Sequence, residues 1–423
     1  MKFVDLFAGL GGFNLALSKL GHECVFACEI DESLQKLYKR NFGLDIRGDI
    51  RLIDPSEIPP HDILCAGFPC QPFSKAGNQK GFEYPEIGGL YLDLLRIINF
   101  HHPHYLILEN VPNFQRHGNG ESWKKLEILL HEQGYEIEIK RLSPHEFGIP
   151  QIRDRIYIVG NLINLKGFVW PKPENNKIKT DLRSVLDNNP SDARYLPTHM
   201  KHIIKIWQEF VNQIPKTEEI PLPIWSMEFG ATYPYKECTP SQMKLTELRK
   251  FHGCYGYSLK KAKEKEDALN LLPSYAQGKE KQFPKWKIKY IEQNREFYKR
   301  HKKWIDYWIP KIIDYPPSFQ KFEWNCHGEK NRKLSNYILQ VRPSGVRVKR
   351  PTTAPSLVAM TATQVPIITW EKRYMTPTEC KRLQSMGSLR YLPLTNNKAY
   401  EALGNAVNVE VVRRVARSLL KSD

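Results

Sequence analysis

The sequence predicts an α/β fold, a doubly wound and mostly parallel sheet, joined to a second, irregular and basic domain. Two observations predict the sheet. The apolar run Phe3-Val4-Asp5-Leu6-Phe7 passes through the turn Ala8-Gly9-Leu10-Gly11-Gly12 into a helically spaced stretch that stops at Gly21, a strand, turn and helix of the kind that opens a nucleotide-binding unit. Strand-like and helix-like patterns then alternate to about residue 170. A third observation predicts the other domain: from Pro171 the alternation yields to loops rich in proline, aromatics and lysine, and it resumes only near Arg373. The expected divisions are 1–170, 171–372, a hinge segment at 373–396, and a C-terminal helix at 397–423 that returns to the first domain.

In the opening unit, the glycines let the backbone turn sharply and approach a ligand closely, and the helix amino terminus offers unpaired N–H groups to it. The second apolar run, Cys24 to Cys28, ends in Glu29, at the offset where such folds hold ribose hydroxyls, and Asp31 has the character of a helix N-cap. Gly48-Asp49-Ile50 puts another carboxylate at a turn, where it either accepts from an exocyclic amine or simply forms the turn.

The third strand, Asp62 to Ala66, runs into Gly67-Phe68-Pro69-Cys70-Gln71-Pro72-Phe73-Ser74. That places Cys70 in the loop at a strand's carboxyl end, where open α/β sheets keep their chemistry. Pro69 restrains Phe68 toward extended geometry, so the thiol sits on a pre-shaped loop; the competing reading is a small buried hydrophobe, as most free cysteines are. A helix over Leu90 to Ile98 follows, and then the strand Tyr105 to Leu108, which ends in Glu109-Asn110-Val111. Glu109 would share a crevice with Cys70, or else cap the segment after it. Arg153 and Arg155 alternate into the strand Ile156 to Val159, a geometry suited to a phosphate or a carbonyl oxygen, or to a salt-bridged edge strand.

In the middle region, Phe297, Trp304 and Trp308 share one helical face and read as core, while the intervening lysines and arginines are the candidates for phosphate contacts. Near the end, Thr376, Pro377 and Glu379 spell a capped helix start, and Gly404-Asn405-Ala406-Val407 precedes a helix with Val409, Val412, Ala416 and Leu419 on one face.

Composition narrows the class. The 423 residues are 41% hydrophobic and 26% charged, as in a globular protein, and no apolar stretch reaches the length of a spanning helix, so no membrane partner is expected. A net charge of +17 is more than solubility requires and points to a polyanion, nucleic acid first. The chain enters its first strand directly after Met1 and Lys2 without a leader pattern, and its eight scattered cysteines suggest reduced thiols; a cytoplasmic setting is expected. No cysteine or histidine spacing matches a metal site, so no metal is expected.

Taken in order, Asp5 to Gly12, Glu29, Gly48-Asp49-Ile50, the Cys70 octapeptide, Glu109-Asn110-Val111, Gln151 to Arg155, Arg373 to Gln384 and Gly404 to Val407 resemble the motifs of bacterial DNA cytosine-5 methyltransferases of the restriction-modification type. The resemblance covers Phe3 to about Gly160 and Arg373 to about Leu420; Ser385-Met386-Gly387-Ser388 departs from it. It implies a Rossmann-like methyltransferase using S-adenosylmethionine. On that basis 1–170 is the catalytic and cofactor-binding domain and 171–372 the target-recognition domain. The resemblance assigns Cys70 to attack cytosine C6, Glu109 to N3 and the 4-amino group, and Arg153 and Arg155 to the O2 side. It assigns the cofactor to the Phe7 to Gly11 turn, Glu29, Asp49, Pro69, Leu90, Asn405, Ala406 and Val407.

It also implies double-stranded DNA as partner, with the base flipped out and the protein a monomer on DNA, and a cognate restriction endonuclease acting separately. The alternatives are an RNA cytosine-5 methyltransferase of the same fold and a non-enzymatic DNA-binding relative. A nicotinamide-dependent oxidoreductase is weaker, because the turn lacks the full dinucleotide fingerprint.

Overall fold

A computed structural model describes residues 1–68, 90–174, 180–357 and 364–421. It divides into two compact units. Unit 1 comprises Met1–Ser191, Thr352–Ala362 and Thr376–Asp423; unit 2 comprises Asp192–Pro351 and Thr363–Met375.

Unit 1 is built on six strands. In chain order its elements are β1 (Lys2–Leu6), α1 (Gly12–Ser18), β2 (Glu23–Cys28), α2 (Glu32–Phe42), β3 (Ile63–Gly67), α3 (Leu90–His101), β4 (Tyr105–Asn110), α4 (Glu121–Glu132), β5 (Glu136–Leu142), β6 (Gln151–Ile152) and β7 (Arg155–Asn161). The main sheet has the order β2-β1-β3-β4-β7-β5. All its pairings are parallel except those of β7, which runs antiparallel to both β4 and β5. Strands β1, β3 and β4 are near-continuous apolar runs because both faces of the sheet are covered. The strand order reverses between β1 and β3, and the glycine turn leaves β1 at its carboxyl end, while β3 ends at Gly67, three residues before Cys70.

Unit 2 begins with α5 (Thr198–Gln213), β8 (Ile224–Trp225), α6 (Leu245–Leu248), α7 (Lys265–Asn270), α8 (Lys285–Trp308), β9 (Lys321–Trp324), β10 (Ile338–Arg342) and β11 (Gly345–Lys349). The chain then supplies β12 (Ala354–Pro355), which pairs with β6 of unit 1, and returns for β13 (Ile367–Ile368) and β14 (Arg373–Tyr374). The unit 2 sheet has the order β14-β13-β10-β11-β9-β8. Its core is aromatic: Trp207 of α5 stacks on Phe322 of β9 at 4.7 Å, and Phe210 meets Trp304 and Trp308 of α8 at 5.0 and 4.6 Å. The ring face expected over Phe297 to Trp308 is therefore spent on packing.

The expected divisions at 170 and 372 differ from where the units part. Residues 180–187 stay with unit 1 because Leu182 and Val185 are buried and Asp187 is held by α9 (Pro377–Leu383). Arg382 of α9 donates to Val185 O and Asp187 Oδ1, and the Asp187 N–H donates to Glu379. Likewise Arg373 to Met375, expected in the hinge, belong to the unit 2 sheet through β14.

Helix α9 opens with the capping box Thr376 and Glu379, as the sequence suggests. Two further helices, α10 (Asn396–Asn405) and α11 (Val409–Leu419), end the chain. The apolar face of α11, Val409, Val412, Val415, Ala416 and Leu419, is buried, and the helix packs on α1.

Candidate active site

At the end of β1 the backbone takes positive φ at Phe7 (58°), Gly9 (52°) and Gly11 (76°). A left-handed phenylalanine costs roughly 1–2 kcal/mol, which the surrounding turn must hold in place. It does so through Ala8 N donating to Cys28 O at 2.9 Å and Gly11 N to Ala8 O at 2.7 Å. The Glu29 carboxylate completes the turn: Oε2 accepts from Gly9 N at 2.9 Å and Oε1 from Asp31 N at 3.0 Å. With one lone pair of each oxygen used, the other faces a half-exposed setting. The neighbouring Ile30 is an apolar side chain left 64% exposed beside that carboxylate, a feature the sequence reading passed over because one isoleucine in a loop carries no periodic signal.

Two features of this turn fit a bulky ligand. A methyl group built on Gly9 meets nothing within 4 Å, so the turn faces open space, whereas at Gly11 and Gly12 it would strike Phe42 and Val407 at 2.3 and 2.5 Å. Two residues before the turn, the wholly buried Asp5 accepts from the Tyr38 hydroxyl at 3.5 Å; burial dominates and pushes its carboxyl up, against the opposing pull of the Asn14 backbone N–H. Asp49, by contrast, caps a short turn and is gripped by Arg51, whose Nε lies 3.0 and 2.9 Å from its two oxygens. The Arg51 hydrogen bonds hold that carboxyl below its usual range, so a second donor would have to share it. Leu90 starts α3, half-buried against the core beneath the sheet.

Pro69 and Cys70 lie outside the described residues. What is described is their frame. Gly67, the last residue of β3, has Glu109 of β4 as its Cα partner, and Phe68 packs edge-on against Phe114 at 5.4 Å. The Asn110 amide reaches back to Phe68 O at 3.5 Å.

Glu109 is only 6% exposed. The Arg155 Nε lies 2.9 Å from its Oε1, yet that oxygen has no aligned hydrogen bond among the described residues. Burial pushes the carboxyl up, against the opposing pull of Arg155 and Arg153. A shift in this direction favours the protonated carboxyl, the form that can donate a proton where a simple surface glutamate would only accept one.

The two arginines, expected to act together, separate. Arg155 faces Glu109, with Nη1 donating to Asp154 O at 2.8 Å. Arg153, 2% exposed, turns away to hold backbone: Nη2 donates to Gly404 O and Ala406 O at 2.8 and 2.9 Å, and Nη1 to the Ser356 hydroxyl at 3.2 Å. Alternation along a strand puts both side chains on one face but does not say what that face meets. Ala406 and Val407 are buried and Asn405 is exposed; Val407 sits over Gly12 and, at 3.5 Å, against the position a Gly67 side chain would take. Gln151 is a further residue the reading did not single out, its amide wholly buried and without a hydrogen-bond partner among the described residues.

The site is thus an open glycine turn at the reversal point of a doubly wound sheet, with a buried carboxyl and a guanidinium at the ends of neighbouring strands, the arrangement of a group-transfer enzyme. Comparison with known proteins specifies the family: residues 1–421 match the C-5 cytosine-specific DNA methylase model, and the chain belongs to that family. It is 42% identical over 220 residues to the type II methyltransferase M.HhaI of Haemophilus parahaemolyticus, a match covering 51% of this chain and 66% of that protein. It is 28% identical to M.AluI of Cellulosimicrobium cellulans over 100% of this chain and 92% of that one. With M.MspI of a Moraxella species the match is 42% over 44% of each. Among solved structures, the Entamoeba histolytica methyltransferase EhMeth has a TM-score of 0.53 at 16% identity, covering 99% of this chain and 98% of that one, a likeness of fold. No helix among the described residues is long and apolar enough to cross a membrane.

Proposed function

We propose that this chain is a sequence-specific DNA cytosine-5 methyltransferase that protects DNA in a restriction-modification system, binding DNA as a monomer while a cognate nuclease acts separately. The observation that carries the reading is Glu109: a buried carboxyl, pushed toward its protonated form and flanked by Arg155, at the Cα partner of the strand end that leads into Pro69 and Cys70. Unit 2 is the proposed target-recognition region.

Cytosine C5 is a weak nucleophile. In the proposed reaction the Cys70 sulfur bonds to C6, the ring electrons shift to make C5 enamine-like, and the charge building at N3 is met by the proton of Glu109. Arg155 holds the O2 side and keeps Glu109 oriented. Once C5 carries the methyl group, its proton leaves to a base, the C6–S bond breaks to return the thiolate, and N3 gives its proton back to Glu109.

S-Adenosylmethionine, implied by the family, supplies an electrophilic methyl group when bound. The open face at Gly9 fits it, and Phe7, Ala8, Gly9, Gly11, Glu29, Pro69, Leu90, Asn405, Ala406 and Val407 would hold it, with Glu29 on the ribose and Ile30 against the base. Asp49 would join them by sharing its Arg51-bound carboxylate. The target base must leave the duplex to reach such a crevice, at a cost of roughly a few kcal/mol.

The test is a substrate in which C5 carries fluorine, so that the proton cannot leave. The wild-type protein should form a denaturation-resistant adduct with DNA that needs S-adenosylmethionine, and Cys70→Ser should form none while still binding cofactor. An adduct with Cys70→Ser, or none with wild type on DNA it binds, overturns the reading. Running tRNA beside duplex DNA decides against the RNA alternative.

A further inference from the structure

Unit 2 contains a charged feature of its own. A cleft of about 950 Å³ opens between α5 and the segment 330–335. Its lining includes Lys201, Lys205, Lys216, Lys330, Arg332 and Lys333 and no aspartate or glutamate.

The cleft follows from the pattern of α5. That helix buries Ile203, Ile206, Trp207 and Phe210, so the row Lys201, Lys205, Gln208, Asn212 runs along its outer side, one residue per turn and about 5–6 Å between neighbours. The opposite wall is built rather than incidental. Gln208 holds it through Nε2 to Arg332 O at 3.0 Å and through Oε1, which accepts from Leu334 N at 2.6 Å. The Arg332 guanidinium is spent on position, donating to Ile214 O at 3.2 Å, Pro215 O at 3.1 Å and Glu218 O at 2.5 Å.

The five lysines have no such internal use. Among the described residues none forms an ion pair or hydrogen bond through its ammonium group, and the carboxylates close by are already taken, Glu209 by Lys311 at 2.7 Å and Glu218 by Arg300 and His301 at 2.9 and 2.8 Å. Glu209 also attracts Lys205, but five ammonium groups around one cleft, with no ion pair of their own among the described residues, repel one another, and the arrangement is relieved by a polyanion.

We propose that this cleft binds the phosphodiester backbone of duplex DNA and supplies sequence-independent affinity, apart from the contacts that read bases. The proposal rests on DNA being the substrate, as argued above. Lys201, Lys205, Lys330 and Lys333 all fall outside the Phe297 to Trp308 stretch whose lysines and arginines the sequence marks for phosphate contacts, so only the fold brings them together.

The test compares wild type, Lys205→Gln/Lys333→Gln and a control pair on another exposed stretch, Lys260→Gln/Lys261→Gln, binding a fluorescent mixed-sequence duplex over a range of salt concentrations. The slope of log affinity against log salt should fall by about 0.9 for each lysine removed from the cleft, and much less for the control. Equal thermal midpoints and equal S-adenosylmethionine binding establish that the variants are folded. An unchanged slope in the cleft variant, or an equal fall in the control, overturns the proposal. Wild type with no salt-dependent affinity for duplex DNA overturns the substrate assignment itself. Tighter binding of duplex RNA that is lost in the cleft variant reassigns the cleft to RNA and also overturns it.

Discussion

Two buried glutamates, Glu109 of unit 1 and Glu228 of unit 2, each face an arginine, Arg155 and Arg295, and the two pairs have the same 2.9 Å separation from Nε to carboxylate oxygen. Their surroundings differ. In unit 2 Glu228 is wholly buried and fully supplied: the Tyr233 hydroxyl and, at 2.8 Å, the Tyr275 hydroxyl donate to Oε1, Arg295 Nε donates to Oε2, and the Arg295 guanidinium lies 4.3 Å over the Tyr233 ring. In unit 1 Glu109 has Arg155 beside it, with no aligned hydrogen bond to Oε1 among the described residues, and burial pushes its carboxyl up. A satisfied buried pair ties segments together, and removing one partner strands the other charge. An undersupplied pair keeps donor and acceptor capacity free for a substrate, at some cost in stability.

Changing both glutamates to glutamine breaks the comparison if it is wrong. Glu109→Gln should lower methyl-transfer turnover by about 10²- to 10⁴-fold, the usual weight of a positioned proton donor, with little change in thermal midpoint. Glu228→Gln should instead lose roughly 3–5 kcal/mol of stability, because the charge of Arg295 is left buried and unmatched. Turnover assays and chemical denaturation read the two effects; a Glu109→Gln protein that unfolds as readily as Glu228→Gln makes Glu109 a structural residue too.

The next contrast lies between the arginines two residues apart. Arg155→Ala should cut kcat by about 10²- to 10³-fold with KM for S-adenosylmethionine nearly unchanged, as expected for loss of one group at the reacting base. Arg153→Ala should mainly raise that KM, because its charged donors hold the Gly404 and Ala406 carbonyls and so seat Val407 over the glycine turn. Charge-assisted bonds of this kind are worth about 1.5–3 kcal/mol. A kcat-only defect in Arg153→Ala places it back at the base.

The smallest effect expected is a pH dependence of stability. Because burial raises the folded-state value of Glu109 above its unfolded value, near pH 4.3 for a free glutamate, both states are protonated at low pH and nothing is gained by the glutamine. As pH rises past the unfolded value, the unfolded chain ionises more readily and the wild type loses stability that Glu109→Gln keeps. The difference in thermal midpoint between glutamine and wild type should therefore be near zero at about pH 4 and positive at pH 8. A negative difference at pH 8 means that attraction to Arg155 outweighs desolvation.

Much of unit 1 was settled by local chemistry. Near-continuous apolar runs specify β1, β3 and β4, the glycines permit the left-handed turn, Asp31 and Thr376 cap their helices, and the α11 face repeats with the helical period. These signals lie within a few residues of one another, so the sequence by itself determined a doubly wound sheet and put Glu29 and Glu109 at strand ends. Only the tertiary structure decided what depends on distant partners. It gave the neighbouring arginines different tasks, because Gly404 and Ala406 come from some 250 residues away to meet Arg153. It moved the boundary from 170 to Ser191, because residues 180–187 are held by α9, which the chain supplies much later. It also assembled the lysine cleft, since Lys205 and Lys333 share no spacing that a pattern could reveal. Short-range periodicity reports which face a residue occupies, but the fold alone reports what that face meets.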